Sequence, residues 1–221
     1  MTPDTASVAC DGWDESECEG TPHCPPRCPR FVDKQGARWT VRPAVDADEP
    51  RLVEMYERFD RGDRAQGLPP VSRRRRVEWV RSMLAEGNNV VAERDGAVFG
   101  HAMYTPTDAP VPELAVFVHP DAQDRGVGTE LCRHVIANAA AADREGIELH
   151  VETGNRAARS VYGTVGFEVV ERRGDLRMRL DLDDSIATEV RWPPLAREGP
   201  TEPLVETTPG GSGAGRSPAD D

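Results

Sequence analysis

ELAVFVHPDAQDRGVGT, Glu113 to Thr129, is the stretch whose reading decides the fold. Leu114 to Val118 is an apolar run of strand length, and it ends at His119-Pro120. The polar turn Gln123-Asp124-Arg125-Gly126-Val127-Gly128 then leads directly into an amphipathic helix with Val127, Leu131, Val135 and Ala139 on one face. A strand, a glycine loop and a helix start in that order gather backbone N–H groups at the positive end of a helix dipole. That point suits a phosphate or pyrophosphate, and glycine lets the backbone come close where a side chain would stand in the way. A Gly-x-Gly loop alone is weak evidence, since a plain helix-capping turn also explains it, so the rest of the chain has to decide.

Outward from this stretch the elements alternate. Trp39 to Arg42 reads as a short strand; Leu52, Met55, Tyr56 and Phe59, and then Val77, Val80 and Leu84, recur at helical spacing. Asn89 to Glu93 and Ala97 to Tyr104 read as a hairpin around Asp95-Gly96, a favoured two-residue turn. Downstream, Ile147, Leu149 and Val151 alternate as a strand, a helix runs from about Asn155 to Val165, and Phe167–Val170 and Leu176–Leu182 close a sheet. The expectation is an α/β fold with a mixed central sheet flanked by helices. No internal repeat is present.

The 221 residues suffice for one good core. Residues 1–36 hold four of the five cysteines together with Pro22, Pro25, Pro26 and Pro29, which precludes a long helix there. Residues 185–221 are Pro/Gly-rich, finish GGSGAGRSPADD and lack apolar periodicity, so a disordered acidic tail is expected. The domain itself is expected over 37–184.

Acidic residues outnumber basic ones 39 to 27, for a formal charge of −12, and Lys34 is the single lysine. This balance argues against nucleic acid or an anionic membrane as the main partner. It also suits solvation in a salt-rich cytoplasm, and the reading favours a halophilic source; the arginine bias fits a GC-rich genome equally. With no basic-then-apolar start and no membrane-length apolar run, a cytoplasmic location is expected, in which cysteines are thiols or metal ligands. Cys10, Cys18, Cys24 and Cys28, with His23 adjacent, read either as a structural zinc site or as reduced thiols in a proline-rich loop; only the last pair has zinc-ligand spacing. Cys132 reads as a small buried apolar residue. Arg73 to Arg76 opens a helix, where four consecutive residues spread around the axis, so ion pairs on a solvated face are expected instead of a nucleic-acid stripe.

A second segment, Asn155 to Phe167, carries Asn155, Ala158, Tyr162, Gly166 and Phe167. Together with Gln123, Gly126 and Gly128 it resembles the GNAT superfamily of acyl-CoA-dependent N-acetyltransferases, whose hallmark loop is Gln/Arg-x-x-Gly-x-Gly/Ala. The likeness spans residues 38 to 183. It implies acetyl-CoA as acyl donor and a primary amine as acceptor: a protein lysine or N-terminus, a polyamine or an amino sugar. It implies that Asp124, Arg125, Gly126, Val127, Gly128 and Thr129, with Gln123, cradle the pyrophosphate, Arg125 adding a charge-assisted contact and Asp124 offering only its backbone while its carboxylate points to solvent. It further implies that the strand Val116-Phe117-Val118 splays from its neighbour and offers an N–H to the thioester oxygen, a kind of donor that contributes about 3 kcal/mol to a transition state.

By the same resemblance Tyr162 protonates the departing thiolate, a role open to a phenol that stays protonated at neutral pH. Glu113 is the preferred base for the incoming ammonium, although an exposed strand-end glutamate explains it equally. Asn155 either bonds the pantetheine amide or caps its helix. His101 faces the site or packs on the sheet, and His119 is expected to face solvent. Asp60, Asp63 and Asp108, in loops 60–70 and 104–112, can recruit a cationic amine or belong to the general acidic surface. The rival function is a non-catalytic acyl-CoA sensor or a zinc-stabilised interaction module.

Overall fold

The computed structural model describes residues 21–24, 26–60 and 68–191. Eight strands form one sheet: β1 (Arg30–Val32), β2 (Arg38–Pro43), β3 (Asn88–Arg94), β4 (Ala97–Thr105), β5 (Glu113–Val118), β6 (Gly146–Val151), β7 (Glu168–Arg173) and β8 (Asp175–Asp181). Their spatial order is β1-β2-β3-β4-β5-β6-β8-β7, antiparallel except for the β5–β6 pair. The described residues also form five α-helices: α1 (Glu49–Glu57), α2 (Arg73–Glu86), α3 (Val127–Ala141), α4 (Arg156–Thr164) and α5 (Asp184–Arg191). The expected mixed α/β architecture is therefore observed.

Each face of the sheet has its own core. Leu52, Val53, Met55 and Tyr56 of α1 and Val80 and Met83 of α2 pack with Val91, Val98 and Met103 on one face. Val127, Leu131, Val135 and Ala139 of α3, the face expected from spacing, pack with Val41, Val90, Ala92 and Ala102 on the other. Central strands buried on both sides read as apolar runs, as β3 and β4 do. The β3–β4 turn has positive φ at both Asp95 and Gly96, the backbone a tight hairpin requires.

The parallel β5–β6 pair shapes everything that follows. It registers at a single position, Glu113↔Glu148, supported by Glu148 N–H to Pro112 O at 3.0 Å. On its other side β5 is laddered to β4 through six consecutive pairs. Beyond Glu113 the two parallel strands part, leaving a wedge that opens toward Val118.

Two described elements reach outside the expected 37–184 span. The 1–36 segment contributes β1 to the sheet, and its Arg27 is fully buried. Residues 185–191, expected in the disordered tail, belong to α5, which packs on α3 and buries Val190. The reason is an apolar spacing, Ile186 and Val190, four residues apart on a helix face. Cys10, Cys18, Asp63 and the tail beyond 191 lie outside the described residues.

Candidate active site

The wedge exposes backbone. His119 N–H donates to Phe99 O on β4 at 2.8 Å, and Glu148 N–H reaches Pro112 O from the other side. Peptide groups alternate along a strand, so those of Val116 and Val118 point into the gap while that of Phe117 turns to β4. Of the expected trio, Val116 and Val118 thus carry the wedge-facing backbone. Their side chains pack on the α3 face, and Phe117 packs on the α1/α2 face, edge-on to Tyr56 and Trp79 at 5.3 and 5.5 Å.

At the mouth of the wedge, Gly126 adopts φ +94°, a left-handed conformation that turns the chain into α3. Glu130 N–H to Gly126 O, at 3.0 Å, starts the helix ladder. The amides of Val127, Gly128 and Thr129 reach no acceptor at normal hydrogen-bond geometry among the described residues. A Cβ placed on Gly128 would lie 3.4 Å from Val118 Cγ2 and 3.9 Å from Val161 Cγ2, ordinary contacts. The protein thus has room for a Cβ there, and glycine keeps that space open above amides without an acceptor among the described residues. Such a cradle fits a diphosphate.

The remaining loop residues divide by role. Gln123 donates its side-chain amide to Val118 O at 3.3 Å and its backbone N–H to Pro120 O, so it ties the loop to the strand end. Asp124 is exposed, as expected, with φ +57°. The Arg125 guanidinium, expected near phosphate, is instead held by the buried Asp33, with Nε and NH2 each 2.6 Å from Oδ2. Burial alone would raise the Asp33 pKa, but Arg125, the Trp39 indole N–H and the amides of Ala37 and Gln35 outweigh it and hold the group at about 2.

Tyr162 sits on α4 one residue past Val161, buried against Phe167 at a ring distance of 5.9 Å. Its hydroxyl has no hydrogen-bond partner among the described residues. Burial, and then the neighbouring Cys132, push its pKa well above the usual phenol value, so it stays a proton donor. Cys132 is itself buried, with its thiol pushed up to about 12 by burial. Asn155 accepts from Ala158 N–H at 3.0 Å, which makes it the cap of α4.

Glu113 lies at the closed end of the wedge, half exposed, 3.0 Å from His150 Nδ1. His150 went unnoticed in the sequence, although the Glu148/His150 alternation on β6 puts it on the face opposite Ile147 and Leu149. His101 is packed, not site-facing: Asn89 donates its amide to Met83 O and Gly87 O, so its Oδ1 accepts from His101 Nε2–H at 2.9 Å, and Tyr56 donates to Nδ1 at 2.6 Å. Burial lowers the His101 pKa to about 4, despite the opposing charge of Asp48. His119 does not face solvent as expected; it packs edge-on against Phe99 and accepts from Asp121 N–H. Asp60 and Asp108 are exposed. Arg73 pairs with Glu57 and Arg74 with Glu78 on a solvated helix face, as expected, whereas Arg76 is buried and also pairs with Glu57.

Comparison with known proteins decides what this geometry belongs to. Residues 50–167 match the acetyltransferase (GNAT) family. The chain belongs to that family. Among solved structures, the GNAT domain of S. lividans PAT is similar at 23% identity and TM-score 0.63, over 69% of this chain and 96% of that one. The yncA structure from Salmonella typhimurium, solved with its cofactor acetyl-CoA, is similar at 24% identity and TM-score 0.55, over 66% and 95%. A ribosomal-protein-alanine N-acetyltransferase from Brucella melitensis is similar at 26% identity and TM-score 0.54, over 64% and 99%. No curated protein matches the chain.

As a GNAT protein it carries its β1–β2 hairpin and α5 outside the matched residues, yet Asp33 reaches the loop from that hairpin. Nothing in the sequence ties Asp33 to Arg125, ninety-two residues away. Among the described residues, which include Cys24 and Cys28 of the four cysteines, no group of three or more His, Cys, Asp or Glu could hold a metal ion. No described helix is long and apolar enough to cross a membrane.

Proposed function

We propose that this GNAT protein transfers the acetyl group of acetyl-CoA to a primary amine by direct attack in a ternary complex. The observation that carries the reading is the wedge: exposed β5 backbone leads to three acceptor-less amides at the start of α3. Acetyl-CoA supplies an activated thioester when bound. The amides of Val127, Gly128 and Thr129 hold its diphosphate, and the wedge-facing peptides of Val116 and Val118 take its pantetheine arm. One of their N–H groups stabilises the oxyanion, a contribution of about 3 kcal/mol. Glu113 is the preferred base for the amine, with His150 orienting its carboxylate. Tyr162 gives its phenolic proton to the thiolate that leaves.

The acceptor is a primary amine on a protein, a polyamine or an amino sugar. Calorimetric titration of the full chain with acetyl-CoA, followed by thiol release across an amine panel, tests the reading. Saturable binding with turnover on at least one amine is expected. Wild-type protein that does not bind acetyl-CoA would remove the assignment, and tight binding without turnover on any amine would make the chain a sensor. Gly126→Val forces a branched side chain into the left-handed region and is expected to abolish binding.

A further inference from the structure

The cradle carries a mismatch of charge. Its amides suit a diphosphate, but the loop's own arginine is spent on Asp33, and Asp121 and Asp124 stand exposed beside it. A ligand bearing several negative charges would meet repulsion there unless another cation faces the loop.

The β1–β2 hairpin brings one. Its turn is fixed to the loop by Lys34 N–H to Arg125 O at 3.1 Å, and by the Asp33 carboxylate that holds the Arg125 guanidinium. Asp33 is fixed in turn by the Trp39 indole N–H at 2.8 Å and by the amides of Gln35 and Ala37. Arg125 also lies over the Trp39 ring, 5.6 Å from its centroid. These contacts set where Lys34 leaves the backbone. Its exposed side chain runs over the loop, with Cε 4.0 Å from the place a Cβ on Gly126 would occupy. No described acidic side chain pairs with it. Among 27 basic residues it is the single lysine, a compact charge on a flexible stem.

We infer that Lys34 is a clamp on the diphosphate of coenzyme A, supplied by a hairpin that lies outside the residues matched to the GNAT family. The inference rests on the proposed acetyl-CoA site and adds to it a cation from outside the loop, whose own Arg125 is held by Asp33. Asp33 acts through Arg125 as a positioning residue: it removes the loop's arginine from the ligand and seats the hairpin so that Lys34 replaces it.

The test uses the full chain, with coenzyme A and 3′-dephospho-coenzyme A as titrants, and the variants Lys34→Met and Lys34→Arg. Lys34→Met is expected to weaken both titrants about tenfold, equal to about 1.4 kcal/mol. Lys34→Arg should restore most of that affinity, and the melting temperature should not move, because the side chain is exposed. In turnover the loss should fall on KM for acetyl-CoA and not on kcat. Unchanged affinity in Lys34→Met, with wild type binding normally, would overturn the clamp and leave the acetyl-CoA site standing. A loss seen with coenzyme A but not with the dephospho form would overturn the diphosphate assignment. Wild type that binds neither titrant would bring down the underlying site itself.

Discussion

Tyr162 and His101 are both buried, and burial acts on them in opposite directions. A phenol is neutral when protonated, so burial strengthens its hold on the proton; an imidazole is neutral when deprotonated, so burial weakens it. Tyr162 keeps a proton that nothing in the described protein shares, which is what a reserve acid for a leaving thiolate requires. Tyr162→Phe should therefore fold normally and lower kcat by about 10²-fold, a usual share for one general acid, with acetyl-CoA affinity nearly unchanged. Equal kcat in wild type and variant would assign the proton to another donor. His101 is neutral and pinned between Tyr56 and Asn89, with a folded pKa of about 4 against 6.5 unfolded. A folded pKa below the unfolded one means that the unfolded chain binds the extra proton first. Stability is thus whole above pH 6.5 and declines as pH falls toward 4. Urea midpoints measured at pH 7, 5.5 and 4.5 should drop in that order, and His101→Gln should flatten the fall in part. His134, also buried with its pKa lowered by burial, acts in the same direction.

At the scale of elements, α4 brings Val161 to the glycine loop and carries Tyr162 beside it, and its first turn depends on Asn155. Removing that cap costs about 1 kcal/mol, so Asn155→Ala should lower the melting temperature by a few degrees. If the cap also sets the angle of α4, the variant loses kcat as well; a variant that melts lower with full kcat would confine Asn155 to stability. Elements were legible in the sequence where periodicity and turn chemistry agreed. The β3–β4 hairpin, the α3 face and the Gln123 to Gly128 loop appear where they were expected, because each is specified by neighbours in the chain. β1 was missed because three residues amid prolines carry no alternation to read. The wedge is a different case: one register point followed by divergence is a property of two strands separated by a helix, and only the family resemblance announced it. Arg125 shows the same limit at closer range. Its charge looked available to a phosphate, and its partner Asp33 lies on a hairpin that local reading does not connect to it.

Across the whole molecule, the two ends of the described chain meet on α3. Arg27, from the segment before β1, donates Nε to Glu130 at 2.6 Å and NH1 to Val190 O on α5 at 2.7 Å, entirely out of solvent. One side chain thereby joins the N-terminal segment, α3 and α5. Burial would raise the Glu130 pKa, but the charge of Arg27, with His134 Nε2 3.5 Å from the carboxylate, outweighs it and holds the group ionised. An ionised carboxylate in the core depends on its partner, and removing one member of such a pair costs about 3–5 kcal/mol because the other is left buried and uncompensated. Arg27→Met should cost that amount in urea unfolding and loosen α5. The double variant Arg27→Met/Glu130→Gln removes both charges and should recover most of the loss, since a buried pair replaced by neutral groups is often close to neutral in stability. The pair's contribution is present above the unfolded carboxylate pKa near 4.5 and is lost as pH falls below it, so the single variant should differ least from wild type in acid. If single and double variants lose equal stability at neutral pH, Glu130 is not the residue that Arg27 compensates, and the N-terminal segment is held to α3 by its packing alone.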